Sequence, residues 1–155
     1  MSRHKRPSPP RQRPAAAAGL DKASYEAIAA FRHELRRFLA FSEAAAADAG
    51  LPPRQHQALL AIAGHAGADR PTVGAVADQL LIAPHTAAEL VARMADAGLI
   101  SKTPGESDRR RVELALTPKA ARLLARLTAA HAQELQALEP TLVKAVRRLG
   151  RLTEV

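Results

Sequence analysis

The sequence predicts a mainly α-helical fold in which three shorter helices and a two-stranded β hairpin lie between two long terminal helices. Apolar residues recur every three or four positions along much of the 155-residue chain, which is the period of an amphipathic helix. The composition agrees, because 47% of the residues are hydrophobic but only 3% are aromatic, so Leu, Ala, Val and Ile must build the core. Alanine and leucine favour helix. Residues 111–116 instead place every second side chain on the same face, with Val112, Leu114 and Leu116 on one face, as a strand does.

Residues 1–19 form a basic tail that we expect to be disordered. They include four prolines and almost no bulky apolar side chains, so they cannot bury enough surface to order themselves. Two interpretations stay open, a basic arm that follows the phosphates of a nucleic acid and a solvated extension that only aids solubility. Five of the eight excess positive charges of the chain lie in this tail, on Arg3, Lys5, Arg6, Arg11 and Arg13.

Residues 20–50 are predicted to form the first long helix, which runs from about Asp21 to Ala49. Gly50 and Pro52 end it, since glycine and proline commonly follow the last helical turn. Charged side chains lie largely beside or opposite one apolar face, as in an amphipathic helix. That face consists of Tyr25, Ile28, Phe31, Leu35, Phe38 and Leu39.

Residues 51–117 are predicted to form a compact lobe that begins with a helix over residues 53–65. Thr72 is placed to cap a second helix, whose apolar residues recur at helical spacing on one face. After a three-residue turn, Pro84 opens a third helix that ends at Gly98, because proline is favoured in a first helical turn and glycine just after a last one. This order predicts a helix-turn-helix that the first helix of the lobe supports from behind.

A hairpin with a cationic tip is predicted directly after the helix-turn-helix. Residues 99–103 supply one strand, and the turn-rich stretch 104–108 supplies the connection. In the second strand Val112, Leu114 and Leu116 point to one face, which is the period-2 pattern of a half-buried strand. Such a hairpin beside a helix-turn-helix is called a wing. Three arginines lie at its tip, Arg109, Arg110 and Arg111.

The wing and the helix-turn-helix together carry a resemblance to a known family. The pattern Asp-x-Arg-x-x-x-apolar-x-Leu-Thr is met by Asp108, Arg110, Leu114, Leu116 and Thr117. In this the chain resembles the MarR family of winged helix-turn-helix transcription regulators, over roughly residues 24–149. The resemblance implies a mainly α fold with long dimerisation helices at both ends and a two-stranded β wing. It also implies a double-stranded DNA partner and no cofactor.

Residues 118–155 are predicted to form C-terminal dimerisation helices. Pro118 opens a segment with a nearly continuous apolar stripe, and Pro140 is expected to break or bend it near Glu139. The lobe does not need both long apolar faces for its own cover, and terminal helices form the dimer in the family that the chain resembles, so a homodimer is predicted. The alternative is an intramolecular bundle. The predicted interface residues are Ile28, Leu35, Leu135, Leu138, Leu142 and Val146.

The resemblance implies DNA contacts from the wing and from the early turns of the helix that Pro84 opens. Side chains at the start of a recognition helix commonly reach base edges, and Arg110 occupies the position that enters the minor groove in the family. The other wing arginines and Arg54 are expected at phosphates. Arg93 is expected to pair with Asp108 and so hold the wing. The predicted contact residues are Arg54, Thr72, Pro84, His85, Thr86, Glu89, Arg93, Arg109, Arg110 and Arg111.

A small aromatic or phenolic ligand is a further partner that the resemblance implies, bound between the terminal helices and the lobe. Aromatic residues at helical spacing are also ordinary core residues, and this alternative stays open. The candidates are Tyr25, Phe31, His33, Arg37, Phe38 and His56. No metal site is predicted, because the histidines lack a tight ligand spacing, and the absence of cysteine excludes disulfides and thiolate zinc sites.

Taken together, the sequence predicts a cytoplasmic, ligand-responsive repressor that binds a palindromic operator as a homodimer. No apolar run is long enough for a membrane span, and no nucleophile elbow, phosphate loop or metal motif indicates an enzyme. A nonspecific architectural DNA-binding protein is the alternative that the basic tail favours. A protein-interaction module without DNA is the third, and the three wing arginines argue against it.

Overall fold

Five α-helices and one antiparallel hairpin make up residues 21–105 and 108–150, the parts of the chain that this computed structural model describes. The tail predicted to be disordered lies outside the described residues. In chain order the elements are α1 (Lys22–Asp48), α2 (Pro53–Ala63), α3 (Val73–Leu80), α4 (Pro84–Asp96), β1 (Ile100–Pro104), β2 (Val112–Leu116) and α5 (Pro118–Gly150). The predicted mainly α fold with a two-stranded wing is confirmed.

The first helix begins at a side-chain cap that also ties it to the far end of the chain. The Asp21 carboxylate accepts hydrogen bonds from the backbone N–H and the hydroxyl of Ser24, at 2.9 and 2.6 Å. Such a cap satisfies a backbone donor that the helix leaves free. The other oxygen of the same carboxylate accepts from Arg148 of α5 at 2.7 Å. This interaction joins the N-terminus of α1 to the C-terminal end of α5.

The C-terminal segment is a single helix, so of the two effects expected of Pro140, a break or a bend, the break is wrong. Helix α5 runs without interruption from Pro118 to Gly150, although proline removes one backbone donor from the helix interior. Pro140 itself is exposed, whereas Leu138 and Ala145 on either side are buried. Because α5 packs along α1, burial on both sides of the proline holds the helix together across the lost hydrogen bond.

The predicted helix-turn-helix is confirmed as α3 and α4. The Oγ1 atom of Thr72 accepts from the N–H of Ala75 at 3.3 Å and caps α3. Pro84 stands at the first position of α4, where its missing N–H costs nothing. After α4, Gly98 has a φ of +68°, a left-handed conformation that glycine adopts without strain and that turns the chain into β1.

The wing is a regular hairpin fastened to the start of α3. Its strands pair from Ile100 with Leu116 to Pro104 with Val112. The N–H of Leu114 donates to the carbonyl of Pro71 at 2.8 Å, so β2 is held on its second edge as well. Leu114 is buried as predicted, but Val112 is 39% exposed because it lies at the end of the hairpin, beyond the core.

The apolar core occupies the lobe and continues into the first half of α5. Its largest fully buried side chains include Leu59 of α2, Met94 of α4 and Leu114 of β2. Leu124 and Leu127 of α5 belong to the same cluster. The wing and the helix-turn-helix are therefore positioned by one continuous core rather than by surface contacts alone.

Candidate nucleic-acid interface

The N-terminal half of α4 presents one polar face outward and packs the other in the core. Ala87 and Leu90 are buried, while His85 and Glu89 are exposed and Thr86 is half-buried. The predicted recognition-helix residues therefore lie on the free face of a helix whose opposite face is fixed. Pro84 opens this helix and is itself exposed.

The turn before α4 contains a residue that the sequence reasoning did not single out. Leu81 has a φ of 54° and is 92% exposed. A left-handed conformation is costly for a residue with a Cβ atom, and a leucine side chain gains nothing by full exposure. The only sequence feature that could have indicated this left-handed residue was the absence of glycine from the turn of the helix-turn-helix. Leu81 projects beside the start of the recognition helix.

The wing tip is stiffened by its own backbone and by one aspartate. The Asp108 carboxylate accepts from the N–H of Arg110 at 2.9 Å, and the Asp108 carbonyl accepts from the N–H of Arg111 at 3.0 Å. The N–H of Gly105 donates to the Arg111 carbonyl at 2.8 Å. Among the described residues, no acidic side chain pairs with Arg109 or Arg110, and both are exposed. Their guanidinium groups are therefore available for an anionic partner.

The expected pair between Arg93 and Asp108 is wrong. Arg93 instead lies 3.5 Å from the carboxylate of Glu89, one turn earlier on the same helix, and both side chains are largely exposed. The Asp108 carboxylate is directed to the backbone of its own turn. Arg93 and Asp108 each bind a partner within their own element, and this costs less conformational entropy than a contact between α4 and the wing would. Such an exposed pair contributes at most about 1 kcal/mol.

A different ion pair fastens the wing to the lobe. Arg111, which was expected at phosphates, lies 3.6 Å from the carboxylate of Asp69 in the loop before α3. A cleft beside this pair is lined by Thr72, Val73, Gly74, Arg110, Arg111 and Val112. The structure thus brings Thr72 together with two of the three wing arginines. Arg54 is exposed at the start of α2 and does not line this cleft.

The predicted ligand-binding residues do not form one pocket. Tyr25, His33 and Arg37 are exposed on α1, and Arg37 pairs with Glu34 at 3.1 Å. Phe31 is half-buried on the same helix. The cleft of about 440 Å³ between α1 and α5 contains none of the candidates. It is lined by Ala23, Glu26, Ala27, Ala30, Thr141, Lys144, Ala145 and Arg148.

Two of the ligand candidates do meet, in an aromatic cluster where α1, α2 and α5 join. The ring of His56 stacks on that of His131 with 4.9 Å between centroids. Phe38 and Phe41 pack edge-on against His131 at 5.9 and 5.7 Å. Burial, and then the charge of His131, lower the pKa of His56 below its usual 6.5. The sequence reasoning singled out neither Phe41 nor His131 for this cluster.

The predicted dimerisation residues divide into exposed and buried groups. Ile28 and Leu35 of α1 and Leu135 and Val146 of α5 are exposed large apolar side chains, and Leu142 is half-buried. Leu138 is 4% exposed, so its prediction needs correction, because this side chain is already covered within one chain. On α1 and α5, three further exposed large apolar residues were not predicted as dimer contacts, namely Tyr25, Leu39 and Val143.

Over residues 21–105 and 108–150, no helix combines the length and the apolar character that crossing a membrane requires. Within the same ranges, no group of three or more His, Cys, Asp or Glu side chains is arranged to hold a metal ion.

The lobe and the overall fold both match known proteins. A sequence model described as the MarR family matches residues 49–111, from the end of α1 to the wing tip. No curated protein sequence matches the chain. Among solved structures, a MarR family protein from Bacillus stearothermophilus matches with a TM-score of 0.68 and 22% identity, over 88% of this chain and 97% of that one.

Two further structures carry bound molecules. CouR from Rhodococcus jostii, bound to p-coumaroyl-CoA, is 25% identical, with a TM-score of 0.62 over 83% of this chain and 92% of that one. A variant of MepR from Staphylococcus aureus, bound to an oligodeoxyribonucleotide, is 19% identical, with a TM-score of 0.58 over 87% and 96% of the two chains. The family match over its lobe and the fold shared along most of its length show that this protein is similar to the MarR family and has the fold of the winged helix-turn-helix proteins of that family.

Proposed function

We propose that the protein is a ligand-responsive repressor that binds a palindromic duplex operator as a homodimer. The single observation that carries this proposal is the cationic wing tip, where Arg109 and Arg110 are exposed beside a recognition helix with a free polar face. Arg110 is proposed to enter the minor groove, and His85 and Thr86 to reach base edges in the major groove. Such a regulator would act in the cytoplasm.

The dimer is proposed from the exposed apolar side chains of the terminal helices. Tyr25 on α1 and Leu135 and Val146 on α5 are between 45% and 61% exposed, far more than core residues of the lobe. Apolar side chains that line long helices on both ends of a chain favour burial against a second copy. A two-fold dimer would place two recognition helices on successive major grooves, about 34 Å apart, and so require a palindromic site.

The response to a ligand is proposed by analogy with relatives. CouR was solved with p-coumaroyl-CoA bound, and a small aromatic or phenolic acid is the class proposed for this chain. Binding would shift the population between lobe spacings that match the operator and those that do not. A coupling of about 1–3 kcal/mol, which is typical of such regulators, would change DNA affinity about five- to 150-fold.

The experiment is selection of bound duplexes from a random DNA pool at physiological salt. The wild type, Arg110→Ala and Arg122→Ala are compared, the last removing one exposed positive charge from α5 as a matched control. We expect the wild type and the control to enrich the same palindrome, and Arg110→Ala to lose about ten- to hundredfold in affinity for it. Equal binding by Arg110→Ala would overturn the wing assignment.

An architectural DNA-binding protein is the second candidate, favoured by the basic tail and the net charge of +8. It predicts enrichment of nothing beyond A·T content. It also predicts a steep loss of affinity with salt, because phosphate contacts release counterions.

A further inference from the structure

The stacked rings of His56 and His131, hereafter the histidine pair, connect the DNA-binding lobe to the terminal helices. His56 lies in the first turn of α2, and His131 lies near the middle of α5. The two residues are only 1% and 6% exposed, and their ring planes are 20° apart. From α1, Phe38 and Phe41 close the cluster with their ring edges. Three helices therefore meet at one buried pair of titratable groups.

Both rings carry a polar atom that the fold leaves unsatisfied. Within the described residues, the Nε2 atoms of His56 and His131 are buried and have no hydrogen-bond partner. Buried polar atoms are normally paired, so two such atoms at one contact require a physical reason. An unpaired Nε2 atom is tolerable in a neutral ring. A protonated ring at the same position would bury a charge with nothing to accept its hydrogen bond.

Among the described residues, no acidic side chain forms an ion pair or a hydrogen bond with either ring. Glu34 and Arg37 of α1 bind each other at 3.1 Å, and the side chains that α1 packs against His131 are phenyl rings. On α2 the nearest charged residue in sequence is Arg54, which is exposed and positive. On α5 it is Glu134, which is half-buried three residues beyond His131. Among the described residues, burial and then the charge of His131 lower the pKa of His56, so a second proton at the pair is unfavourable.

We propose that the histidine pair is a proton-sensitive contact that opens as the pH falls and separates the lobe from the terminal helices. Two imidazolium rings stacked at this distance repel each other, and hydrating them requires α2 to move away from α5. Because α2 packs against α3 and the wing strand β2, this movement shifts the DNA-binding surface. Weaker DNA binding at low pH follows, and that consequence rests on the proposed function.

The first test is the pH dependence of unfolding by urea, followed by circular dichroism. The unfolded chain takes up a proton on this imidazole below pH 6.5, whereas the folded protein resists it. The folding equilibrium constant of the wild type should therefore decrease as the pH is lowered from 6.5, by up to about tenfold per pH unit for each excluded proton. His131→Phe keeps an aromatic ring in the cluster and removes one titratable group, so its loss between pH 7.5 and 5.5 is expected to be smaller. His56→Gln provides a second variant that removes the other ring.

The matched control is His65→Gln, which removes an exposed histidine from the loop after α2 and should keep the wild-type pH dependence. If the wild type and both variants of the pair lose stability in parallel as the pH falls, the proposal is wrong. The same conclusion follows if nuclear magnetic resonance shows His56 of the folded protein taking up a proton at pH 6.5 with the stack intact.

The second test measures binding to the random duplex pool at pH 7.5 and 5.5. Between pH 7.5 and 5.5, the loss of DNA affinity by the wild type should be at least about fivefold greater than the loss by His131→Phe. An equal loss in both proteins would overturn the regulatory role. If neither protein binds DNA at either pH, the proposed function fails. The unfolding measurement then decides alone whether the histidine pair opens.

Discussion

At the scale of the residue, Asp108 shows how a motif position can be identified correctly and its role misassigned. The sequence predicted the wing from an alternating strand after a turn-rich stretch, Asp108 and Arg110 matched the family pattern there, and the hairpin is present. It did not predict that the carboxylate accepts from a backbone N–H two residues away. Aspartate commonly binds its own turn in this way, and the sequence alone does not rank that contact against a distant arginine.

This arrangement gives a prediction for the wing tip. Asp108→Ala leaves the N–H of Arg110 without its acceptor, and one such hydrogen bond contributes about 0.5–1.5 kcal/mol. We expect a two- to tenfold loss of affinity for the selected duplex, with unchanged helix content, because Arg110 is held less firmly. Asp108→Asn retains an acceptor oxygen and should bind nearly as the wild type does. Gel-shift titration measures the duplex affinity of both variants. An equal loss of affinity in Asp108→Ala and Asp108→Asn would contradict the role assigned to the acceptor oxygen.

Asp21 gives a prediction about acid. Hydrogen bonds from the side chain and then the backbone of Ser24, with a smaller effect of Arg148, lower the pKa of this carboxyl below 3.8. Because the folded-state pKa lies below the unfolded one, the stabilisation is complete above pH 3.8 and is lost as the pH falls through the folded-state value.

Asp21→Ala should therefore lower the urea midpoint at neutral pH, and the difference from the wild type should shrink as the pH falls below 3.8. Arg148→Ala separates the two interactions, because it removes the ion pair with α5 and leaves the cap with Ser24 in place. Urea unfolding at pH 7 and pH 3 is the measurement. A difference that stays constant between these values would contradict the assigned role of the carboxylate.

At the scale of the element, helical periodicity predicted every helix, and it did so best where caps agreed with it. Thr72 before α3 and Pro84 at the start of α4 fixed both boundaries from the sequence. The break predicted as one outcome at Pro140 was wrong, because the local preference of proline was given more weight than the burial of the helix on both sides of it. The histidine pair could not be predicted from the sequence either, since no periodicity indicates which side chains of α2 and α5 will stack.

Pro140 supplies the prediction at this scale. Proline inside a helix costs about 3 kcal/mol relative to alanine, and Pro140 is exposed, so its ring contributes little packing. Pro140→Ala is expected to raise the free energy of unfolding by about 1–3 kcal/mol, since part of the cost is already relieved where the helix adjusts. Thr128→Ala, also at an exposed position of α5, controls for the gain in helix propensity alone. Unchanged or lower stability of Pro140→Ala would mean that the proline contributes a geometry that the fold requires.

At the scale of the whole molecule, the lobe is complete within one chain, whereas the terminal helices are not fully covered. The lobe has a continuous core, and its wing is held by Pro71 and Asp69. The terminal helices pack on each other yet leave large apolar side chains exposed along both. One chain therefore completes the winged helix-turn-helix lobe and leaves exposed the apolar surface on which a second copy is proposed to pack.

Two neighbouring leucines of α5 separate this proposed association from folding. Leu135 is 45% exposed and Leu138 is 4% exposed, although both lie on the same apolar stripe. Leu135→Glu should give a folded monomer, because the charge disrupts only the contact with a second chain. Leu138→Glu should unfold the protein or lower its stability by about 3 kcal/mol or more, because it buries an unpaired charge.

Sedimentation equilibrium and circular dichroism distinguish these outcomes, with Thr128→Glu as a control that adds the same charge at an exposed polar position of α5. A stable dimer from Leu135→Glu, together with a monomer from the control, would move the interface to another face of α5. A monomeric wild type would exclude the dimer itself. The palindrome would then have no physical basis, since a single lobe presents only one recognition helix and one wing to the duplex.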